Sequence, residues 1–523
     1  VSERRAEERP VLRRRGKLLF IGIQLVVWAL LAGLALEVYT VFQWQRIEAK
    51  NPYVRARHGE VTWPDSDNVP PEEPIVVAVT PPEERLPQPT PLEEWRWRAD
   101  YFLSLPPEDR ATFARVYAQN IYMLNAQGEI TEAYLHPPVN GLPSSIAEHS
   151  GEAIEDYVGN LTAGHAPVPA EQHFEAEGLT LRALPMPGEE HGLLLIIDGA
   201  FPKPSGITQD IYEEPWFSYR KHASLPSRHF SPEDLGSEQF STNNFGFRDR
   251  DVLVPKPEDT FRIVCVGAST TEEGMNNAYT YPNLLEAELN AHFATPVFDV
   301  INAGIAGLNI SKERMRLADY LAMDPDIIIA YNAVNDIAHF HFLTWINQAT
   351  SWQRLLRKSK FITYHFNNLF RPDDAAIRDA LIHQTISQLF TIHERAAEVG
   401  VTVVLTTFAR PDIENLPPVQ RDYFDLYAYD LYNTGSVEGR LITFATYCHT
   451  IDLFNEALRE ICRERDIPLI DIAAAVSGGT EIFGDVCHMR NRGIEAKARA
   501  VFEQLTGPLA ALLPADVLPA GQP

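Results

Sequence analysis

Cysteine is scarce in this chain of 523 residues, which has Cys265, Cys448, Cys462 and Cys487 and no others. None of them has metal-ligand spacing, and their number neither demands nor forbids an oxidising compartment. Cys265 reads as a buried strand residue. Cys448 and Cys462 fall on one predicted helix, roughly 21 Å apart at ~1.5 Å per residue, which rules out a bond between them while that helix is continuous. Positive charge is in deficit as well. With 45 Lys and Arg against 71 Asp and Glu, the formal net charge is −26. Nucleic acid is thereby excluded as a partner, because binding it needs a basic footprint. No internal repeat is evident. The length exceeds one typical domain and 45% of the residues are hydrophobic, so two folded units joined by linkers are expected.

Long apolar runs are missing too, with one exception. Residues 18–36 are apolar except for Gln24 and two glycines, and they follow Arg4, Arg5, Arg9, Arg13, Arg14, Arg15 and Lys17. About nineteen residues suffice to span a bilayer core, and the basic flank stays cytoplasmic. This pattern predicts a cytoplasmic tail over 1–17 and a transmembrane signal anchor over 18–42, with Tyr39, Phe42 and Trp44 at the far interface. The remainder would lie outside the cytoplasm, periplasmic or extracellular. A cleavable signal peptide is the alternative, but its apolar core would be unusually long and no small-x-small site precedes polar sequence. No cysteine follows the segment, which excludes lipoprotein processing.

Residues 43–91 hold a dense set of prolines and acids and predict an extended, semi-rigid spacer, with 75–79 as a short strand inside it. Residues 92–205 predict a small α+β domain. Helical periodicity over 92–103 and 108–119 precedes a hairpin, 121–124 and 130–135 about the turn Asn125-Ala126-Gln127-Gly128. A second pair, 179–184 and 193–197, flanks Pro187-Gly188-Glu189-Glu190. Residues 206–239 read as a linker, 240–513 as the main domain, and 514–523 as a tail. In the main domain strands and helices alternate: strands at 262–266, 297–301, 327–331, 402–407 and 468–472, helices at 281–292, 311–322, 375–399 and 447–464. Such alternation implies a parallel sheet covered on both faces. Two long aromatic-rich segments, about 337–372 and 410–446, interrupt it and are expected to wall a substrate groove. His339 and His341 in the first of these lack carboxylate or cysteine partners, so no metal site is assigned there.

Four short blocks carry the chemistry. Ser269 lies in Gly267-Ala268-Ser269-Thr270, directly after a predicted strand; Gly307 and Asn335 each follow another; Asp485-Val486-Cys487-His488 precedes the last helix. A serine hydroxyl needs a base, and the base needs an orienting partner. His488 would take the proton of Ser269, and Asp485 would fix the imidazole tautomer. An oxyanion needs aimed donors, which the backbone N–H groups of Ser269 and Gly307 and the Asn335 side-chain amide can supply. Each block has a plain structural reading too: a helix cap at Ser269 or Asn335, a turn glycine at 307, a surface turn at 485–488. Their joint occurrence, in order and at predicted strand ends, favours catalysis.

Ser, Gly, Asn and His in that order, with Asp three residues before His, resembles the four blocks of the SGNH/GDSL hydrolases over about half the chain, 240–513. The run Phe-Ser-Thr-Asn-Asn-Phe-Gly-Phe-Arg at 240–248 is similar to the lead-in of membrane-linked SGNH proteins. Two departures stand out: Ala333 where the family usually has Gly, and Gly267-Ala268 in place of Gly-Asp or Gly-Gly. The resemblance implies an SGNH-hydrolase-like (flavodoxin-like) α/β fold, with Ser269, Asp485 and His488 catalytic and Ser269, Gly307 and Asn335 forming the oxyanion hole. It implies no metal or other cofactor. The element order of 92–205, with Asn125–Ile130 and Ile196–Asp198, weakly resembles a PAS-like sensor fold; an unrelated spacer domain is the alternative. The expected activity is hydrolysis of a small-molecule or glycan O-acyl ester. O-acyl transfer to a surface glycan and a non-catalytic membrane-anchored scaffold are the competing readings, and protein partners are not specified.

Overall fold

In the computed structural model, the described residues are 2–61, 63–64, 84–117, 119–125, 127, 129–134, 170–174, 179–186, 192–198, 212–213, 218–225, 240–293, 297–431 and 442–512. The predicted strand at 75–79 and the predicted tail 514–523 lie outside them, as does most of the predicted linker 206–239. The chain divides into two compact units.

One unit contains Val1–Pro64, Phe340–Asp374 and Ile413–His449. Its first helix, Ser2–Lys50, runs well beyond the expected 18–42. The next begins at once, because the Asn51 side chain accepts the N–H groups of Tyr53 and Val54 and Pro52 occupies the first turn. Within the first helix, Leu19–Lys50 is long and apolar enough to cross a membrane, a test that a signal sequence also passes. The two aromatic-rich segments, expected to wall a groove, pack here with the N-terminal helices. Asn51 Nδ2 donates to the Val419 carbonyl at 2.7 Å, and Tyr53, Trp63 and Tyr423 form an aromatic cluster with centroids 5.5–5.9 Å apart. Aromatic content signals burial without saying against what.

The other unit holds both five-stranded sheets. Strands β1 (Asn120–Leu124), β2 (Ile130–Tyr134), β3 (Ala170–Phe174), β4 (Leu179–Pro185) and β5 (Leu193–Asp198) form an antiparallel sheet ordered β2-β1-β5-β4-β3. Strands β6 (Thr260–Gly267), β7 (Val297–Gly304), β8 (Ile327–Tyr331), β9 (Thr402–Thr406) and β10 (Leu469–Ile470) form a wholly parallel sheet ordered β7-β6-β8-β9-β10. Every residue of β8 is buried, as an unbroken Ile-Ile-Ile-Ala-Tyr run requires in a strand covered on both faces. β10 is shorter than its apolar pattern suggested because Asp471 turns to cap the next helix, accepting the Ala474 N–H. The helix expected at 375–399 carries a wide π turn at Ile382–Ile386.

The spacer's last residues are not free. The Leu86 N–H donates to Asp251 at 2.7 Å, Asn244 Nδ2 to the Pro87 carbonyl at 3.1 Å and Lys221 Nζ to the Pro89 carbonyl at 2.9 Å. Helix Pro91–Ser104, opened by a Thr90–Glu93 capping box, then meets the parallel-sheet layer at one carboxylate. Asp319 accepts from Arg98 Nε at 2.8 Å, Tyr117 Oη at 2.9 Å, Arg316 Nε at 3.2 Å and Trp97 Nε1 at 3.3 Å. Burial alone would raise its pKa, but the two guanidiniums pull it down to about 2. Removing one partner of such a buried cluster costs about 3–5 kcal/mol. Asp319→Ala should therefore lower stability by that order in denaturant melts of the full chain. In the native protein, the stability Asp319 confers is present above the ordinary carboxylate pKa and is lost as pH falls toward 2. Asp319→Asn should lack that acid limb, which an acid titration of the two proteins checks.

Candidate active site

Strand register brings the first three blocks to one edge. Gly267, the last residue of β6, pairs with Gly304 of β7 and with Tyr331 of β8. Ser269, Gly307 and Asn335 follow those ends by a few residues, at the carboxyl edge where open α/β sheets bind ligands. Ser269 opens a short helix, Ser269–Glu272, whose close seat against the sheet needs two glycines. A Cβ on Gly267 would lie 2.4 Å from the Tyr331 carbonyl oxygen, and one on Gly304 2.5 Å from the Glu272 nitrogen.

The fourth block sits on a tight return. The Gly484 N–H donates to the His488 carbonyl at 2.9 Å, and an antiparallel bridge joins Phe483 to Met489. Asp485 Oδ1 accepts the N–H groups of Cys487 at 2.8 Å and His488 at 2.7 Å. Its Oδ2 lies 2.7 Å from His488 Nδ1, and His488 Nε2 lies 2.8 Å from Ser269 Oγ. Serine, histidine and aspartate thus form one hydrogen-bonded line. The ring orientation has Nδ1–H donating to the carboxylate and leaves Nε2 to accept from the hydroxyl.

Electrostatics follow from that line. Burial would lower the pKa of His488, but the Asp485 carboxylate outweighs it and holds the imidazole well above its ordinary value. Burial would raise Asp485, yet the facing imidazole and two backbone N–H groups keep it well below the usual carboxylate range. Burial pushes the Cys487 thiol up to about 12, so its sulfur, 3.5 Å from His488 Nδ1, is a neutral neighbour and a poor nucleophile. Asp485, Cys487 and His488 present ligand atoms within 4.8 Å of one another. Carboxylate and imidazole are already spent on each other there. Burial likewise raises the Cys265 thiol to about 12, and all four cysteines are buried and outside any disulfide.

Three groups could serve as oxyanion donors. Gly307 has φ +81° with nothing within 4 Å of a would-be Cβ, so glycine is required by the backbone and the space before it is open. Among the described residues, the N–H groups of Ser269 and Gly307 donate to no other group. Asn335 Nδ2 gives one hydrogen to the Leu308 carbonyl at 2.5 Å, which orients the amide and leaves a second hydrogen on the same nitrogen. Ala333, where the family usually has Gly, takes φ −162°, an extended value open to any residue. His341, buried in the other unit, has a pKa lowered by burial to about 4; the side chain of His339 lies outside the described ones.

Two buried ionic groups were not foreseen. Glu272 Oε2 accepts Tyr219 Oη at 2.6 Å and the Ala306 N–H at 2.9 Å, joining the nucleophile helix to the loop that carries Gly307. Arg248, from the 240–248 lead-in, caps the same helix by donating to the Glu272 and Gly274 carbonyls at 2.8 and 3.0 Å. Glu273 accepts Lys497 Nζ at 2.5 Å and the Met489 N–H at 2.7 Å, and Lys497 also donates to the Thr270 carbonyl at 2.6 Å. That pair, fully buried, ties the serine turn to the histidine loop. The one available signal is the adjacent pair Glu272-Glu273 so soon after a predicted buried strand.

Two outcomes are expected. Only neutral imidazole accepts the serine proton, so ester turnover should fall as pH drops through the His488 pKa, with an inflection above the ordinary ~6.5. Asp485→Asn should move that inflection down and cut kcat by about ten-thousand-fold; pH–rate profiles of both proteins check this. Asn335→Ala should cut kcat by roughly a hundred- to a thousand-fold, with unchanged circular dichroism.

Residues 265–494 match the model of the GDSL-like Lipase/Acylhydrolase family. No curated protein matches the chain. Similar solved structures include an acylhydrolase from Bacteroides fragilis at 17% identity, covering 47% of this chain and 88% of that one with a TM-score of 0.28. A carbohydrate acetylesterase family member from Sinorhizobium meliloti matches at 13% identity, covering 48% and 99%, TM-score 0.29. A lipase/acylhydrolase from Enterococcus faecalis matches at 16%, covering 47% and 96%, TM-score 0.29. At such scores these likenesses carry no functional argument.

Proposed function

We propose that the protein is a serine-dependent ester hydrolase, anchored in a membrane and acting outside the cytoplasm on an O-acyl ester, a reading supported by the match of residues 265–494 to the GDSL-like Lipase/Acylhydrolase family model. The single observation that carries this is the unbroken line from Ser269 Oγ through His488 to Asp485. Ser269 Oγ attacks the ester carbonyl carbon while its proton passes to His488 Nε2. The carbonyl oxygen becomes an oxyanion facing the Ser269 and Gly307 N–H groups and the Asn335 amide. Collapse breaks the bond to the alcohol oxygen, which leaves with the proton from His488. Water then attacks the acyl-enzyme, gives its proton to His488 and releases the acid, and Ser269 recovers its hydrogen. A glycan hydroxyl in place of that water would make the same site an O-acyltransferase.

The anchor reading rests on the apolar helix and its arginine-rich flank, with the catalytic unit on the far side. A reporter fused after the catalytic domain should be active only outside the cytoplasm. For the small sheet we read a PAS-like module. The order β2-β1-β5-β4-β3, with the last strand returning beside the first, supports it, and an experimental structure with another strand order would remove it.

An aryl acetate tests the chemistry. The full chain should release aryl alcohol, Ser269→Ala should lose about a million-fold in kcat, and a phosphonate inhibitor should label Ser269 alone. Wild-type turnover by Ser269→Ala would sink the catalytic reading. Acetylated sugar appearing when a sugar acceptor is added would assign transfer in place of hydrolysis.

A further inference from the structure

The segment 340–372 differs from the chain around it. It contains Arg354, Arg357, Lys358, Lys360 and Arg371 and no aspartate or glutamate, in a protein of net charge −26. Large apolar side chains stand out into solvent on it: Trp352 is 52% exposed, Leu355 68%, Phe366 51% and Leu369 46%. Arg354, Lys358 and Lys360 of the same segment are exposed as well. Scattered exposed apolar residues mean little, but a cluster of large ones among cations calls for a partner.

Its location names the partner. The apolar run of the first helix ends at Glu37, the first acid after Glu8. Glu37 is bound by this same segment: Ser359 Oγ donates to it at 2.7 Å, the Lys360 N–H at 2.8 Å and the Phe361 N–H at 3.0 Å. The carboxylate thereby caps the helix Lys360–His365. Half a turn beyond Phe42, Trp44 meets Tyr364 edge-on at 5.1 Å. The segment is therefore fastened at the point where the apolar helix stops being apolar. Basic residues interleaved with Trp, Leu and Phe suit the headgroup layer, where apolar side chains enter the acyl boundary and cations meet lipid phosphate.

We propose that residues 351–369 form an interfacial docking surface for anionic phospholipid, lying in the membrane that the first helix spans. The proposal rests on the reading of that helix as a membrane span. It adds a second, electrostatic hold on the bilayer and sets the unit's orientation, which a single helix leaves free to rotate.

The test uses the full chain reconstituted in vesicles. All four native cysteines are buried, so Leu355→Cys accepts a single polarity-sensitive fluorophore at an exposed position, with Glu398→Cys as the comparison site in the other unit. On phosphatidylcholine–phosphatidylglycerol vesicles, the probe at 355 should be quenched by spin-labelled lipid and shielded from aqueous iodide, and the probe at 398 should be neither. On phosphatidylcholine alone the shielding at 355 should weaken. Lys358→Glu with Lys360→Glu should reduce the anionic-lipid preference by roughly fivefold or more. A probe at 355 as open to iodide as the one at 398 on anionic vesicles overturns the proposal. Shielding that tracks protein concentration and ignores lipid charge also overturns it, because a second copy would then be the occupant. Alkaline carbonate extraction reads the helix alone: protein that stays in the bilayer with an iodide-accessible 355 separates failure of this surface from failure of the anchor.

Discussion

Everything in the catalytic unit depends on how closely the nucleophile helix is allowed to approach the sheet. Gly267 and Gly304 pair across β6 and β7, and a side chain on either would strike backbone atoms of Tyr331 or Glu272. With both side chains reduced to hydrogen, the helix Ser269–Glu272 drops onto the strand ends, at the same sheet edge that Gly307 follows. A helix lifted by one methyl group would point the serine elsewhere. Packing at this depth has no slack to absorb such a shift.

Close approach creates a second difficulty, because the helix carries two adjacent glutamates into the interior. Each is satisfied from a different side. Glu272 reaches toward the loop before Gly307 through Tyr219 and the Ala306 N–H, and Glu273 reaches toward the histidine loop through Lys497 and the Met489 N–H. Burying charges of this kind contributes little net stability, since desolvation offsets the Coulombic gain. What the pairing does supply is geometry. One turn of helix is held by its two flanking loops, which carry Gly307, Asp485 and His488.

Much of this was legible in the residues, for reasons that differ by element. The runs at β6 and β8 are too apolar for anything but a strand covered on both faces, so sheet type followed directly. Ser269, Gly307, Asn335, Asp485 and His488 could be picked out because acyl chemistry restricts which side chains serve and because each sat at a predicted strand end or turn. Glu273 and Lys497 escaped notice because nothing local distinguishes a buried ion pair across more than two hundred residues from two solvated charges. The aromatic segments 337–372 and 410–446 were assigned to a groove because their composition announces a partner and leaves its identity open. The described parts of both segments pack with the N-terminal helices. The length of the first helix was underestimated for a related reason: hydropathy marks where a helix is apolar, and says nothing of where it ends.

The distance along the chain between Ser269 and His488 has a temporal consequence. Ser269 and His488, which the proposed mechanism joins by proton transfer, are 219 positions apart, and Lys497, which holds Glu273, comes later still. A ribosome that has released the first three blocks has made a sheet edge with a serine but no base. Contacts of such high sequence separation form late, after most of the chain has collapsed. On the proposed mechanism, hydrolytic competence therefore arrives only near the close of synthesis, and a nascent chain crossing a membrane would carry no active esterase while it does so.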